Sequence, residues 1–387
     1  MPTFYSFNTS PSGNTSSFSF DETFVPADFF NQGDLWSWGS NTYGELGVGD
    51  NSNRDPFELV YYAYYDWKKV SAGINFAAAI KYDGTVWTWG NNTDGQLGQG
   101  NDGIENSTNI PYVVLNMGFS CIDVSCGYRH MAVVKNDGTI WSWGNGEYGQ
   151  LARGSNTDGS STPINISGSS GFKKVFCGKD YTFGLTIYNQ LYSWGRNDFG
   201  QLGAGTTVSK TSITLVAGGY KTVVCGESHT VGITLSNTLR ATGKNDYGQL
   251  GRDNFTNSLS FVQIGSDSDW KQVSCNGNHT VAIKTNGTLW AWGSNYEGQL
   301  GISTVGIAST SKPMQVGSDI DWKSVSCGRY NTTATKTDGS LWAWGSYIFS
   351  DSPITDSPTQ IGSDFNWKIS SAGEYSFYAI RYQDVYL

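Results

Sequence analysis

The chain has 387 residues and a net charge of -9, with 49 glycines, 15 tryptophans, 22 tyrosines and 19 phenylalanines but only 15 % charged residues. So many aromatics beside so little charge exclude a disordered chain, and 9 prolines with glycines that keep no three-residue period exclude collagen. No apolar run approaches the roughly 18 residues of a membrane-spanning helix, and 24 Lys plus Arg without a basic cluster suit neither nucleic-acid phosphates nor a membrane surface.

Residues 1–33 form a segment that does not repeat. It is rich in Ser, Thr, Asn and Phe, the last at Phe4, Phe7, Phe18, Phe20, Phe24, Phe29 and Phe30. Its start, Met1-Pro2-Thr3-Phe4-Tyr5, has no basic residue and no continuous apolar stretch, so it does not read as a secretory signal. Terminal segments are mobile unless something ties them down. Phenylalanines at this density predict an assembly arm that docks on the rest of the chain or on another subunit.

From residue 34 onward the chain repeats. Trp36-Ser37-Trp38-Gly39 returns as Trp87-Thr88-Trp89-Gly90, Trp141-Ser142-Trp143-Gly144 and Tyr192-Ser193-Trp194-Gly195. It degenerates to Arg240-Ala241-Thr242-Gly243 and recovers as Trp290-Ala291-Trp292-Gly293 and Trp342-Ala343-Trp344-Gly345. The glycines stand 51, 54, 51, 48, 50 and 52 residues apart, which gives units near 35–86, 87–140, 141–190, 191–238, 239–288, 289–340 and 341–387. A second landmark keeps the same beat: Ser71-Ala72-Gly73, Ser125-Cys126-Gly127, Phe176-Cys177-Gly178, Val224-Cys225-Gly226, Ser274-Cys275-Asn276, Ser326-Cys327-Gly328 and Ser371-Ala372-Gly373. Between the landmarks lie short β-rich runs joined by Asp83-Gly84, Asp137-Gly138, Asn286-Gly287 and Asp338-Gly339, a strong hairpin signal. Gly-Ser-Asp turns begin at Gly265, Gly317 and Gly362, and no segment keeps a helical period.

About four strands per unit, seven times over, predicts an all-β, seven-bladed propeller of four-stranded blades. A single blade cannot bury both its faces, whereas a closed stack of blades can. The first Trp-x-Trp-Gly strand, at Leu35, lacks a Ser-Cys-Gly half-unit before it. The last half-unit, from Ser371, lacks a Trp-x-Trp-Gly strand after it. The two termini should therefore share one blade.

At these residues the chain resembles the regulator-of-chromosome-condensation repeat family. The resemblance rests on Trp-x-Trp-Gly followed by Asn-x-x-Gly-Gln-Leu-Gly, as in Asn92–Gly98 and Asn245–Gly251. It rests also on Cys-Gly-x-x-His at Cys126–His130 and Cys225–His229, and it covers residues 34–387. It implies a binding disc. The founding type is a nucleotide exchange factor for a small GTPase that docks on chromatin, with a loop wedge in one blade and basic surfaces. Even spacing leaves no room here for a wedge, and the basic surface is missing.

The residues that carry chemistry read as structural. Cys126, Cys177, Cys225, Cys275 and Cys327 share one unit position, which Ala72 and Ala372 fill elsewhere. A site that accepts alanine needs a small buried group. Cys121 falls where Trp67, Phe172, Tyr220, Trp270, Trp322 and Trp367 stand, a packing position. Unpaired thiols fit synthesis in a reducing cytoplasm. His130, His229 and His279 also share one position, with Phe76, Tyr181, Asn331 and Ser376 in the other units, so they lack metal-ligand spacing. Gly144-Asn145-Gly146-Glu147-Tyr148-Gly149 matches a dinucleotide fingerprint, but in a β repeat without the helix that the motif needs. Asp50–Asp55 and Asn101–Glu105 gather oxygens without a full calcium ligand set. Neither a metal nor a cofactor is expected.

One loop position repeats an aromatic residue: Tyr43, Tyr148, Phe199 and Tyr247 precede the glycine of Gly-Gln-Leu-Gly, and Tyr296 stands one residue earlier in its unit. These rings either pack each loop on the next blade or line a binding rim. The seventh unit replaces the loop with Ser346-Tyr347-Ile348-Phe349-Ser350, which breaks the symmetry where a partner can dock. The leading reading is a non-enzymatic interaction or structural propeller. Its partners are other protein subunits, held through residues 1–33 and the loop faces. The Asn-, Ser-, Thr- and Gly-rich composition resembles virus and phage structural proteins, and so suggests a place in a virion. A GTPase exchange factor and a glycan-binding propeller are the alternatives.

Overall fold

Each unit folds as its apolar pattern dictates. The run Phe76-Ala77-Ala78-Ala79-Ile80 is continuous rather than alternating because the strand Phe76–Lys81 is buried on both faces. Outer strands are polar and carry proline, at Pro56, Pro111, Pro163, Pro313 and Pro358. Proline has no N–H to donate, so it belongs on the strand whose outer edge is unpaired. The hairpin at Asp83-Gly84 places Gly84 at φ +83°, and the Asp83 carboxylate accepts from Thr85 N at 2.8 Å and from its hydroxyl at 2.7 Å. That is the Asx-turn chemistry of an Asp-Gly hairpin.

The computed structural model describes residues 33–61, 66–154, 158–167, 171–303, 307–346 and 354–382. The Phe-rich arm, including Phe4, Phe7, Phe18, Phe20 and Phe24, and the replaced loop 347–350 lie outside the described residues. The described strands form seven four-stranded antiparallel sheets. In six of them the strands follow chain order. The first sheet takes Trp67–Ala72, Phe76–Lys81, Val86–Gly90 and Thr108–Val113, from axis to rim. The Trp-x-Trp-Gly strand is third in each sheet, so the sheets begin half a unit later than the sequence repeat.

The seventh sheet closes the ring as the two unpaired half-units predict. The C-terminal end supplies Trp367–Ala372 and Ser376–Tyr382, and the N-terminal end supplies Gly33–Gly39 and Arg54–Leu59. Trp36 pairs with Ala379 and Trp38 with Phe377 in uninterrupted antiparallel register. The innermost strands abut one another around the axis, and Trp367–Ala372 meets Trp67–Ala72 to complete the circle.

Neighbouring blades are joined at the recurring residues. The second indole of Trp-x-Trp-Gly is fully buried and donates to the previous blade's Gly-Gln-Leu-Gly carbonyl: Trp89 to Glu45 O at 2.7 Å, Trp143 to Gln96 O at 2.9 Å, Trp194 to Gln150 O at 2.8 Å, Trp292 to Gln249 O and Trp344 to Gln299 O at 2.9 Å. In the degenerate unit Thr242 substitutes for the indole by donating to Gly200 O at 2.8 Å. Trp38 follows the unit that lacks the loop, and its indole N–H has no acceptor among the described residues.

Candidate protein-interaction face

Antiparallel order puts two sets of loops at the same end of the propeller. These are the tight turns between the first and second strands, at the axis, and the Gly-Gln-Leu-Gly loops between the third and fourth, further out. The axial turns are the Cys-Gly-x-x-His elements. Their glycine is required by close approach: a Cβ on Gly127 would lie 2.3 Å from the His130 ring and 2.6 Å from Gly178 O of the next blade. The residue after that position lies in the axial turn and varies around the ring, with only glutamate occurring twice: Ile74, Tyr128, Lys179, Glu227, Gly277, Arg329 and Glu374. Backbone bonds knit these turns together, Ile74 N to Tyr128 O and Tyr128 N to Lys179 O at 3.3 Å, and Glu227 N to Gly277 O at 3.0 Å.

Tyr128 plugs the axial mouth. It is 8 % exposed, and its hydroxyl has no hydrogen-bond partner among the described residues. The Lys179 ammonium lies 5.4 Å from the ring centroid and the Arg329 guanidinium 5.8 Å. Each cation is paired across a blade boundary, Lys179 with Glu227 at 2.7 Å and Arg329 with Glu374 at 2.5 Å. Burial pushes the Tyr128 phenol well above its ordinary value, so it is a neutral donor at physiological pH. Burial works against the Arg329 charge, but Tyr128, Glu374 and Glu227 outweigh it and hold the guanidinium above its ordinary value. Beneath the plug is a cavity of about 20 Å³, bounded by Ala72, Cys126, Cys177, Cys225 and Asn276. That is room for one water molecule. The mouth is thus an aromatic ring held between two compensated cations, a surface element and not a channel.

Around it the loops leave two grooves. One of about 150 Å³ lies among Lys179, Asp180, Arg196, Phe199, Glu227 and Lys244. The other, of about 330 Å³, lies at the rim among Tyr43, Asn51, Ile104, Asn109 and Tyr112. The rim aromatics are placed unequally. Tyr148 lies under the Arg196 guanidinium of the next blade at 4.4 Å, and Phe199 under the Lys244 ammonium at 5.1 Å. Tyr247 meets Tyr296 edge-on at 6.0 Å, leaving Tyr296 64 % exposed. Tyr43 borders the rim groove.

The residue types that most often do chemistry serve elsewhere. His130, His229 and His279 are fully buried, and each Nε2 meets the threonine of the following blade: Thr182 at 2.8 Å, Thr280 at 3.0 Å and Thr332 at 3.0 Å. Burial holds all three imidazoles down to about 3, so they are neutral at physiological pH. The repeated thiols point at the previous blade. Cys126 donates to Ser71 O at 3.3 Å, Cys177 to Ser125 O at 3.2 Å and Cys327 to Ser274 O at 3.3 Å. Burial pushes Cys121 up to about 11 and Cys177 and Cys327 to about 12, and no thiol is in a disulfide. Each of these cysteines also donates its N–H to the previous blade's serine, Cys126 to Ser71 Oγ, Cys177 to Ser125 Oγ and Cys327 to Ser274 Oγ, all at 2.9 Å, and Ala72 N to Ser371 Oγ at 3.2 Å extends this across the closure. Asp50 is ion-paired with Arg54 at 2.7 Å, and Asn101 bonds Asn106 at 3.0 Å. Among the described residues no three His, Cys, Asp or Glu side chains converge as metal ligands. The stretch Gly144–Gly149 runs from the last residue of a strand into a loop, with no helix behind it.

The sequence matches the RCC1-like domain family over residues 29–266, and RCC1 repeats over 270–299 and 286–335. The chain belongs to the RCC1-like domain family. It is 36 % identical over 187 residues to the human E3 ubiquitin-protein ligase HERC2, covering 45 % of this chain and 4 % of HERC2. It is 33 % identical over 182 residues to the Arabidopsis thaliana ultraviolet-B receptor UVR8, covering 46 % of this chain and 40 % of the receptor. The matched stretch is thus less than half the length of each relative. Among solved structures, Prp20p of Saccharomyces cerevisiae, which was studied with its binding to Gsp1p and histones, superposes with a TM-score of 0.82 at 18 % identity over 92 % of both chains. Human WBSCR16 superposes with a TM-score of 0.77 at 20 % identity, over 91 % of this chain and all of that one. These likenesses establish the fold.

Within this RCC1-like propeller, the axial residues Tyr128, Lys179, Glu227, Arg329 and Glu374 were not singled out by sequence reasoning. The signal was present: the first x of Cys-Gly-x-x-His varies from apolar to basic to acidic between units while the Cys-Gly before it mostly repeats. Among the described residues no helix is long and apolar enough to cross a membrane.

Proposed function

We propose that the chain is a non-enzymatic interaction propeller that docks a protein partner on its loop end, centred on Tyr128 and the flanking Arg329 and Lys179. One observation carries this reading. In a ring whose repeated residues join blade to blade, the axial mouth is lined by a position that does not repeat, with a buried tyrosine and a half-buried arginine at its centre. Tyrosine and arginine are the residues that most often dominate protein interfaces. The buried neutral histidines and high-pKa thiols support the non-enzymatic part of the reading.

The test is capture with the immobilised full chain, followed by cross-linking and mass spectrometry. Arg329→Glu and Lys179→Glu should lose the captured partner and its cross-links to the loop end. Lys271→Glu, at an exposed position in an inner strand near the opposite end, should keep both. A partner set unchanged in the two loop-end variants refutes the assignment.

The finer identity of the partner has two sources. The family resemblance points to a small GTPase, and a panel of GTPases with no accelerated nucleotide release removes exchange. The Asn-, Ser- and Thr-rich composition points to a subunit of a larger assembly such as a virus or phage particle. Mass spectrometry of purified particles should then find the chain; a protein recovered only in free form removes that assignment.

A further inference from the structure

The end of the propeller opposite the loops is not uniform. In four blades the second-strand residue opposite the tryptophan that opens the inner strand is a cation paired with an aspartate of the incoming turn: Lys81 with Asp66 at 3.0 Å, Lys284 with Asp267 at 2.7 Å, Lys336 with Asp319 at 2.5 Å and Arg381 with Asp364 at 2.8 Å. Thr186 and Thr234 stand there in two more. In the remaining blade the turn reads Asn116-Met117-Gly118-Phe119-Ser120, without an acid. Lys135 therefore lies 4.3 Å over the Trp141 ring with no ion pair among the described residues, and Asp137 of the adjoining hairpin caps Thr139 instead.

Beside this cation the surface is apolar. Leu115 and Phe119 are 59 % and 77 % exposed, and Ile187 and Tyr188 of the next blade 56 % and 76 %. The backbone joins these residues into one sector. Asn136 N donates to Ser120 O at 2.8 Å, a Cβ on Gly138 would stand 2.7 Å from Gly171 Cα, and Ile187 N donates to Gly171 O at 3.0 Å. Lys173 adds a second cation without an ion pair among the described residues, its Nζ donating to Asn189 Oδ1 at 2.7 Å. An exposed apolar sector beside cations that lack an acid is a docking surface for an acidic, aromatic peptide.

The same end is where residues 1–32 join the propeller. The strand Gly33–Gly39 runs toward the loop end, where Ser40 N bonds Tyr375 O at 2.8 Å, so Gly33, opposite Tyr382, lies at the other. Those 32 residues contain Asp21, Glu22 and Asp28 and no Lys or Arg. The acid pair sits inside Phe18-Ser19-Phe20-Asp21-Glu22-Thr23-Phe24, 9 to 15 residues before Gly33. Extended chain of that length reaches about 30–50 Å, against about 10 Å from one packed sheet to the next. The reach therefore spans the first blade and arrives at Lys135. Tethering also raises the local concentration to about the millimolar range, enough for a weak contact to persist.

We propose that residues 18–24 dock in cis on the sector formed by Leu115, Phe119, Lys135, Ile187 and Tyr188, with Asp21 and Glu22 facing Lys135 and the phenylalanines covering the apolar side chains. This contact is at the end opposite the proposed partner face and stands independently of it.

Hydroxyl-radical footprinting of the full chain reads it. Phe119 and Tyr188 should be labelled several-fold less than Tyr296, which is exposed at the loop end, at every protein concentration. Replacing Phe18, Phe20 and Phe24 together with Ser should raise labelling of Phe119 and Tyr188 to the Tyr296 level and leave Tyr296 unchanged. Free labelling of Phe119 in the unsubstituted chain overturns the proposal. So does protection that disappears on dilution, which would make a second copy the occupant, and so does protection that survives the triple substitution. Lys135→Glu should weaken the protection, and adding Asp21→Lys with Glu22→Lys should restore it.

Discussion

Glu45 stands where the other described loops of this kind carry glutamine, and its replacement by glutamine should stabilise the protein above neutral pH. In the other blades the glutamine side chain accepts from the loop backbone, as Gln150 does from Tyr148 N at 2.8 Å, and in three of them, at Gln96, Gln150 and Gln299, it donates back to the residue after Trp-x-Trp-Gly, as Gln299 does to Ser294 Oγ at 3.4 Å. Glu45 keeps the first bond, from Tyr43 N at 2.7 Å, but an ionised carboxylate has nothing to donate. Its side chain is 1 % exposed. Burial raises its carboxyl from 4.5 to about 7, with the backbone N–H groups and the nearby Ser40 hydroxyl offsetting only part of the cost. A carboxyl whose folded value lies above its unfolded value stabilises fully below 4.5, and that contribution is lost as the pH rises through about 7. The loss amounts to up to about 3 kcal/mol. Glu45→Gln removes the titration and supplies the missing donor, facing Ser40. Urea unfolding of both proteins from pH 5 to pH 8 gives the difference in stability. It should be near zero at the acid end and grow in favour of the variant by up to about 3 kcal/mol at the basic end. The three buried histidines act in the opposite direction. Their depressed values mean that stability present above 6.5 is lost as the pH falls toward about 3, equally in both proteins, so the difference isolates Glu45. Parallel pH profiles for the two proteins would refute the reasoning.

Three further outcomes are expected. Trp344→Phe removes one of two buried donors to Gln299 O, the Thr332 hydroxyl remaining at 2.9 Å, and should cost about 1 kcal/mol in urea unfolding, whereas Trp38→Phe, which loses no bond among the described residues, should cost less. Gly127→Ala drives a methyl into the His130 ring and should cost about 1–3 kcal/mol, more than Gly373→Ala, whose nearest atom is 3.0 Å away; equal costs would contradict the close-approach account of the motif. A thiol reagent at pH 8 should leave the native cysteines unreacted and titrate all six in denaturant, because burial keeps the thiolate from forming; rapid reaction of Cys177 or Cys327 in the folded chain would contradict this.

The repeat determined the ring. A residue that recurs seven times occupies seven copies of one environment, so Trp-x-Trp-Gly, Ser-Cys-Gly and Cys-Gly-x-x-His had to be answers to a blade-stacking problem. Two unmatched half-units had to complete each other. The same logic read the cysteines and histidines as structural before any distance was known. The loop-rim aromatics show where that logic stops. Tyr148 and Tyr247 occupy one repeat position, yet one lies under an arginine and the other against a tyrosine, because the next blade chooses the neighbour. The axial mouth was out of reach for a related reason. Ile74, Tyr128, Lys179, Glu227, Arg329 and Glu374 are scattered over three hundred residues, and in a linear reading their variation is noise. Strand direction and ring closure bring them to one axis, and only there do two ion pairs form across blade boundaries around a buried phenol. Symmetry belongs to the sequence because it is periodic along the chain; the charge and shape of the two ends belong to the tertiary structure because they are sums over all the blades at once.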